Sequence, residues 1–369
     1  MTAGAPAGTG ITRRPPRDPV VRPLPSAEMP ARLGYRMPAE FEPHARLWLA
    51  WPGATTRTWA DPAITTVCRD LARAARRFEP VAMAVDPTCV DEAAAMLGSD
   101  VELFALPVDD IWVRDSGPSF VVRADGTLAA TTWSFNGWGD KFDGYAADKA
   151  LAPRIAAAAG APAYAAPIIT EGGALHVDGQ GTVVVTESAV LNANRNPGLT
   201  RAEVEAGLNG WLGTSTVVWI PGERWDSITD GHIDGLMTFV RPGAALFEVS
   251  DDPAHPRYHL LKEQARALAL ATDARGRRIE VGLLKAPRQL PSESADFCGI
   301  YVNCLLLNGA VLIPAFGDAV ADAAARATFA AAFKDRQIVQ LRVDAICAGG
   351  GGIHCVSQQE PLAMRAPLP

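Results

Sequence analysis

What the sequence lacks narrows its chemistry before any motif is considered. Its six cysteines are spread over 369 residues with no CxxC pair and no regular spacing, which argues against a disulfide framework or a cysteine-built zinc site. A reducing, cytoplasmic setting is expected. There is no HExxH and no GxxxxGKS/T, and the run Gly349, Gly350, Gly351, Gly352 precedes a strand-like stretch rather than a helix. Neither metal nor phosphate chemistry is supported, and no cofactor is expected. No stretch approaches the ~20 apolar residues of a membrane span, and residues 1–30 lack the apolar centre of a signal peptide. Arg13 and Arg14 suggest a twin-arginine signal, but six prolines between positions 15 and 30 follow at once, so residues 1–33 read as a disordered leader. The formal net charge of −7 argues against nucleic acid as the main partner. It suits a cationic ligand, and it equally suits an ordinary solvated surface.

What is present is a core-forming chain, 48% hydrophobic and 20% charged, with no linker-like break after residue 33. One large domain or two ordinary ones would fit the length, and residues 34–369 are read as one. From Ile64 through Val67, Cys68, Leu71, Ala74, Ala75 and Phe78 the apolar residues recur at helical spacing, and a buried-type strand follows at 81–85. The same phrase returns four times: helix 145–159 and strand 164–169, helix 200–212 and strand 216–220, helix 257–272 and strand 279–284, helix 319–333 and strand 338–343. The third helix opens with a capping box of Thr200 and Glu203.

Between these units lie strand pairs that turn at Gly126, near Gly179 and Gly181, at Gly243 and at Gly309, spaced by roughly 60 residues. The implied architecture is a ring of ββαβ modules. The first module is short of a strand, because only 47–51 precedes its helix, whereas 353–357 stands alone at the other end. Pairing those two would close the ring and leave no sheet edge exposed. An ordinary α/β sheet with hairpins fits the alternation as well.

The unusual polar residues collect where each hairpin begins: Asp115, Glu171, His232 with Asp234, and Cys355. If rotation relates the modules, these positions meet at one end of the ring axis and face one pocket. Cys355 follows the glycine run, which permits close backbone approach. A thiol of ordinary pKa needs cationic or hydrogen-bonding help to become a thiolate, and a positively charged substrate would supply it. Burial as a structural residue is the commoner fate of cysteine, and it is assigned to Cys68, Cys89, Cys298, Cys304 and Cys347. On a strand His232 and Asp234 share a face, so one can move protons while the other binds a cation; a core histidine is the alternative. His354 falls on the opposite face from Cys355 and is read as structural. Asp115, three residues after Trp112, suits a planar cation whose N–H groups it would take in pairs, or else bonds its own backbone before Ser116-Gly117-Pro118. Glu171 either orients His232 or caps a turn.

In this order the motifs resemble the agmatine deiminases of the guanidine-modifying (pentein) superfamily. The segments that carry the resemblance are 36–44, 112–118, Glu171-Gly172-Gly173 with 176–179, 191–197, 231–234, 301–303 and 352–359. The resemblance implies a five-bladed α/β propeller with pseudo-fivefold symmetry and a homo-oligomer, a dimer. It also implies hydrolytic deimination of agmatine to carbamoylputrescine and ammonia. Asp115 and Asp234 would grip the guanidinium, Trp112 would line the pocket and Gly352 would lie against the substrate. Cys355 would attack, His232 would serve as acid and base, and Glu171 would hold His232. Four positions depart from the family's pattern: Ile228 stands where an acidic residue usually helps to receive the substrate's far ammonium, Asp230 and Gly235 stand where asparagine is common, and Asp296 stands where arginine is expected. Asp226, Asp230 or Asp296 would have to receive that ammonium. Other expectations carried forward are a deiminase or amidinotransferase for a different guanidino compound, and a non-catalytic propeller that binds a partner, as ribosome anti-association factors of this fold do.

Overall fold

A computed structural model describes residues 21–22, 29–223 and 226–363 of the chain. Most of the expected disordered leader therefore lies outside the described residues; within it, Pro30–Leu33 form a 3-10 turn.

After the first helical region the chain makes the same unit four times. A hairpin is followed by a helix, and the helix returns the chain to a strand parallel to the hairpin's second arm. The first such unit is Ser119–Arg123, Leu128–Thr132, helix Leu151–Ala158 and strand Ala163–Ala165. The second is His176–Val177, Thr182–Thr186, helix Arg201–Leu212 and Thr216–Ile220. The third is Met237–Arg241, Ala244–Val249, helix Tyr258–Leu270 and Glu280–Lys285. The fourth is Leu305–Leu307, Ala310–Ala315, helix Ala319–Ala332 and Gln337–Arg342.

The fifth unit takes its strands from both ends of the chain. Ser357–Pro361 runs antiparallel to His44–Ala50, with Ser357 opposite Leu49. Helix Ile64–Arg76 then leads to Val81–Val85, parallel to His44–Ala50, and Glu102–Ala105 adds a fourth strand. The expected pairing of the lone late strand with the first is thus present, although the late strand starts at Ser357 instead of 353. Buried Trp48 secures it by donating its indole N–H to Glu360 at 2.8 Å. All five residues of Val81–Val85 are buried, as a parallel strand covered on both faces requires.

Local chemistry sets the helix limits. Thr200 and Glu203 form a reciprocal capping box ahead of Arg201–Leu212, an arrangement worth about 1 kcal/mol at the N-cap. The single helix expected over 145–159 is instead two, Ala146–Lys149 and Leu151–Ala158. Pro153 lies in the first turn of the second, where its missing N–H costs nothing. Asp148, at the end of the first, turns inward to accept the backbone N–H groups of Asp109 and Asp110 at 2.8 and 3.3 Å.

Candidate active site

Every hairpin is entered through a tight turn, and those turns carry the polar residues. Asp115 sits in the helical turn Val113–Ser116, Glu171 caps the 3-10 turn Gly172–Ala174, and His232 caps the 3-10 turn Ile233–Gly235, which holds Asp234. Cys355 lies in the turn just before Ser357, and Asn303 in the one just before Leu305. The expectation that His232 and Asp234 share a strand face is therefore corrected. Pairing begins only at Met237 opposite Phe247, and the backbone at Asp230 and Gly231 has positive φ (63° and 85°), which folds the segment back before the strand can start.

The turns converge tightly. A Cβ added to Gly173 would stand 2.6 Å from His232 Nδ1, 2.9 Å from Asp115 Oδ1 and 3.0 Å from Asp234 Oδ2. Only a glycine lets these three ionisable groups, entering from two different sheets, meet there. The Sγ of Cys355 lies 3.5 Å from Asp234 Oδ2 and receives the Asn303 amide N–H at 3.3 Å. His232 Nε2 lies 3.2 Å from Glu171 Oε2, whereas its Nδ1 is buried without a hydrogen-bond partner, 3.8 Å from Asp115 Oδ1. The imidazole is thus held at one nitrogen and open at the other. Glu171 is itself gripped by Arg195 Nε at 2.8 and 2.9 Å. Asp115 accepts the Gly173 N–H at 3.0 Å and the Trp138 indole N–H at 2.8 Å.

Burial and neighbouring charge together set the protonation of this cluster. Burial alone would lower His232, but Asp115, the Glu171 hydrogen bond and Asp234 outweigh it and raise the imidazole to about 9. Burial raises Asp115, with Asp234 and Glu171 adding to it against His232. Asp234 is held below its ordinary value: burial opposes this, and the hydrogen bond and charge of His354 prevail. Burial, followed by the negative field of Asp234, pushes the Cys355 thiol well above its ordinary value. The resting pair at neutral pH is therefore a thiol and an imidazolium.

Cys355 and Asp115 open onto a cavity of about 600 Å³ walled by Trp59, Trp112, Trp138 and Ile228. Trp59 stacks on Trp112 at 5.9 Å with 15° between the rings. Five further aspartates line it, Asp109, Asp110, Asp143, Asp148 and Asp296, and among the described residues no lysine or arginine does. Gly349, Gly350 and Gly351 complete the floor, and Gly352 follows just behind it. A Cβ at Gly351 would meet Trp112 Cζ3 at 2.4 Å, and one at Gly352 would meet Asn303 Oδ1 at 2.2 Å.

Of the expected site residues, Cys355, Asp115 and Trp112 line this cavity; Asp234 and His232 stand directly behind Cys355 and Asp115, Glu171 is buried beyond His232, and Gly352 packs against Asn303 without lining the cavity. Asp226 and Asp230 do not line it. Asp226 caps its own loop, accepting the N–H groups of Ile228, Thr229 and Gly231. Asp230 pairs with Lys141 at 2.8 Å and Arg195 at 2.6 Å, outside the cavity. Of the three acids considered for a distal ammonium, only Asp296 reaches the wall, braced by the Ser227 hydroxyl at 2.8 Å.

Sequence reasoning missed the support around the cluster: Trp138, Asn303, Arg195, Glu40, Arg114 and His354. Asn303, Arg195, Glu40 and Arg114 lie inside the motif segments, yet nothing local marks an asparagine as a sulfur donor or an arginine as a carboxylate clamp. His354 was placed by strand alternation on a far face. It occupies a turn and contacts Asp234 at 2.8 Å.

A partly buried thiol beside carboxylates, an imidazolium and an aromatic wall, with no basic residue among the described cavity lining, suits the class of hydrolases that act on guanidino C–N bonds. Comparison with known proteins agrees: residues 36–361 match the Porphyromonas-type peptidyl-arginine deiminase family, and the chain belongs to it. It is 42% identical over 344 residues to a relative from Streptomyces avermitilis, covering 90% of this chain and 99% of that one. It is 36% identical over 363 residues to the agmatine deiminase of Ectopseudomonas mendocina, covering 90% and 97%. The structure of the agmatine deiminase of Enterococcus faecalis superposes with a TM-score of 0.87 at 30% identity, over 91% of this chain and 98% of that one. The fold is thus the pentein α/β fold.

Proposed function

We propose that this enzyme deiminates agmatine to carbamoylputrescine and ammonia through a covalent amidino-cysteine. The observation that carries the reading is the convergence of Cys355, His232, Asp115 and Asp234 at the closed end of a cavity rich in aspartate. A guanidinium there offers paired N–H donors to Asp115 and Asp234 with Trp112 beside its face. Charge balance then activates the thiol. Asp115, Asp234, Glu171 and Glu40 face the cations His232, His354, Arg195 and Arg114, so a further buried cation is best accommodated if Cys355 loses its proton.

The thiolate adds to the guanidino carbon. As the tetrahedral adduct collapses, the C–N bond breaks and His232 gives its proton from Nδ1 to the departing ammonia. The neutral imidazole, held at Nε2 by Glu171, next takes a proton from water that attacks the amidino carbon. The C–S bond breaks and the ureido product leaves. The overall balance is guanidine plus water giving urea and ammonia.

The absence of Lys and Arg among the described lining residues speaks against a substrate carboxylate, so free arginine fits poorly. Of the three acids weighed for a distal ammonium, Asp296 is the one the cavity offers. Ile228 narrows the same wall with an apolar side chain and favours a second reading, a guanidino compound with a less polar tail. The six free cysteines fit a reducing cytoplasm.

A panel of agmatine, arginine, peptidyl arginine and a neutral-tailed alkylguanidine, assayed by ammonia release, separates these readings. Agmatine should have the highest kcat/KM, and Cys355→Ala should release no ammonia while keeping its circular dichroism. Preference for the neutral-tailed compound would select the second reading, and turnover by Cys355→Ala would overturn both.

A further inference from the structure

His354 has a carboxylate at each end. Its Nδ1 lies 2.8 Å from Asp234 Oδ2, and its Nε2 lies 2.8 and 3.1 Å from the two oxygens of Glu40. All three residues are buried. A neutral imidazole carries one N–H and so can satisfy only one of these contacts; the other would set a lone pair against a carboxylate. Either the ring is doubly protonated or one acid is. Arg114 settles which at the Glu40 end, since its Nη1 lies 3.2 Å from Glu40 Oε1 and keeps that carboxylate ionised. At the other end Asp234 also faces the His232 cation, which favours its anion. The remaining assignment is a buried imidazolium.

We infer that His354 is a permanently charged positioning residue, which fixes Asp234 as an oriented, ionised carboxylate ready to receive the substrate cation. The inference rests on the proposed role of Asp234 in gripping that cation. The groups facing His354 from the surrounding elements are Glu40, Arg114, His176, Asp234 and, through Asp234, His232 and Cys355. The His176 ring stacks on it at 6.0 Å with 9° between planes. Burial, with the charges of His354 and Arg114 adding against Glu40, brings His176 down to about 4, so a neutral ring covers the charged one. The main chain ties His354 to the thiol as well: its N–H is accepted by Asn303 Oδ1 at 3.0 Å, and the same amide donates to Cys355 Sγ at 3.3 Å. Displacing the imidazolium would free Asp234 to rotate or to take up a proton just where the guanidinium must bind.

Two measurements test this. In the unmodified protein, nitrogen NMR with labelled histidine should find both ring nitrogens of His354 protonated at every pH from 6 to 8, and a single protonated nitrogen at pH 7 would overturn the inference whatever the protein's substrate. In a Cys355→Ala background, calorimetric binding of agmatine should depend little on pH over that range. Adding His354→Asn, which keeps a donor toward Asp234 but no charge, should raise Kd at least tenfold at pH 6 and less at pH 8. Equal weakening at both pH values would mean a structural role only and would also overturn it. Failure of agmatine to bind Cys355→Ala, with His354 doubly protonated, would count against the substrate and leave the histidine's charge standing.

Discussion

Replacing Glu171 by Gln probes the electrostatics of the site without changing its shape. Glu171 Oε2 lies 3.2 Å from His232 Nε2, and both groups are buried. A hydrogen bond to a charged group is worth ~1.5–3 kcal/mol, and one pKa unit corresponds to about 1.4 kcal/mol. Removing the anion should therefore lower the imidazole by about 1 to 2 units from its value of about 9. Arg195, no longer neutralised by Glu171 and left with Asp230 as its carboxylate partner, pushes the same way. The reactive form needs a Cys355 thiolate beside a protonated His232. Because the thiol lies above the imidazole, the population of that form climbs with pH until His232 titrates, and then levels. The kcat/KM profile of the wild type should rise through neutrality and break near 9, and the Glu171→Gln profile should break about 1 to 2 pH units lower. Ammonia release by a coupled assay between pH 6 and 10 measures both. A break that stays near 9 in the variant would refute the assignment of Glu171 as the partner that sets the His232 proton.

Three further substitutions read other parts of the site. Asp296→Asn should raise KM for agmatine about fivefold with kcat nearly unchanged, since an exposed ion pair is worth at most ~1 kcal/mol; an unchanged KM would remove Asp296 from the distal wall. Trp138→Phe withdraws the N–H donor 2.8 Å from Asp115 Oδ2, so KM should rise more steeply toward acid pH as Asp115 protonates sooner. A KM effect independent of pH would contradict that account. Gly351→Ala places a methyl group against Trp112 and Cys355 and should cut kcat/KM at least tenfold while costing ~1–3 kcal/mol of stability, as overpacking does, followed by ammonia release and thermal melts; full activity would show that the floor yields.

The elements whose signals are local were legible in the sequence. The capping box at Thr200, the apolar run 81–85 and the turn at Gly309 each state their own structure, and the repeated order of helix and strand implied the shared unit. The convergence of hairpin entries followed from that repetition, and Cys355 stood out through the glycine run before it. What stayed hidden depends on contacts between distant segments. Strand alternation assigned His354 the wrong side because residues 353–356 form a turn, and a turn does not alternate. Asp226 and Asp230 are acidic residues close to His232 in sequence, yet one is consumed by backbone N–H groups and the other by Arg195 and Lys141. Hydrogen-bond satisfaction of this kind depends on three-dimensional neighbours that spacing does not encode.

The claim on which the account depends is that the sulfur of Cys355 carries the substrate carbon between two half-reactions. Rapid acid quenching of the wild-type enzyme during its first turnover of agmatine, followed by peptide mass mapping, tests it. The account predicts a burst of ammonia, one per active site at most, and a Cys355 peptide heavier by the substrate less ammonia. Ammonia and ureido product appearing together from the first time point, with the Cys355 peptide unmodified throughout, would contradict it.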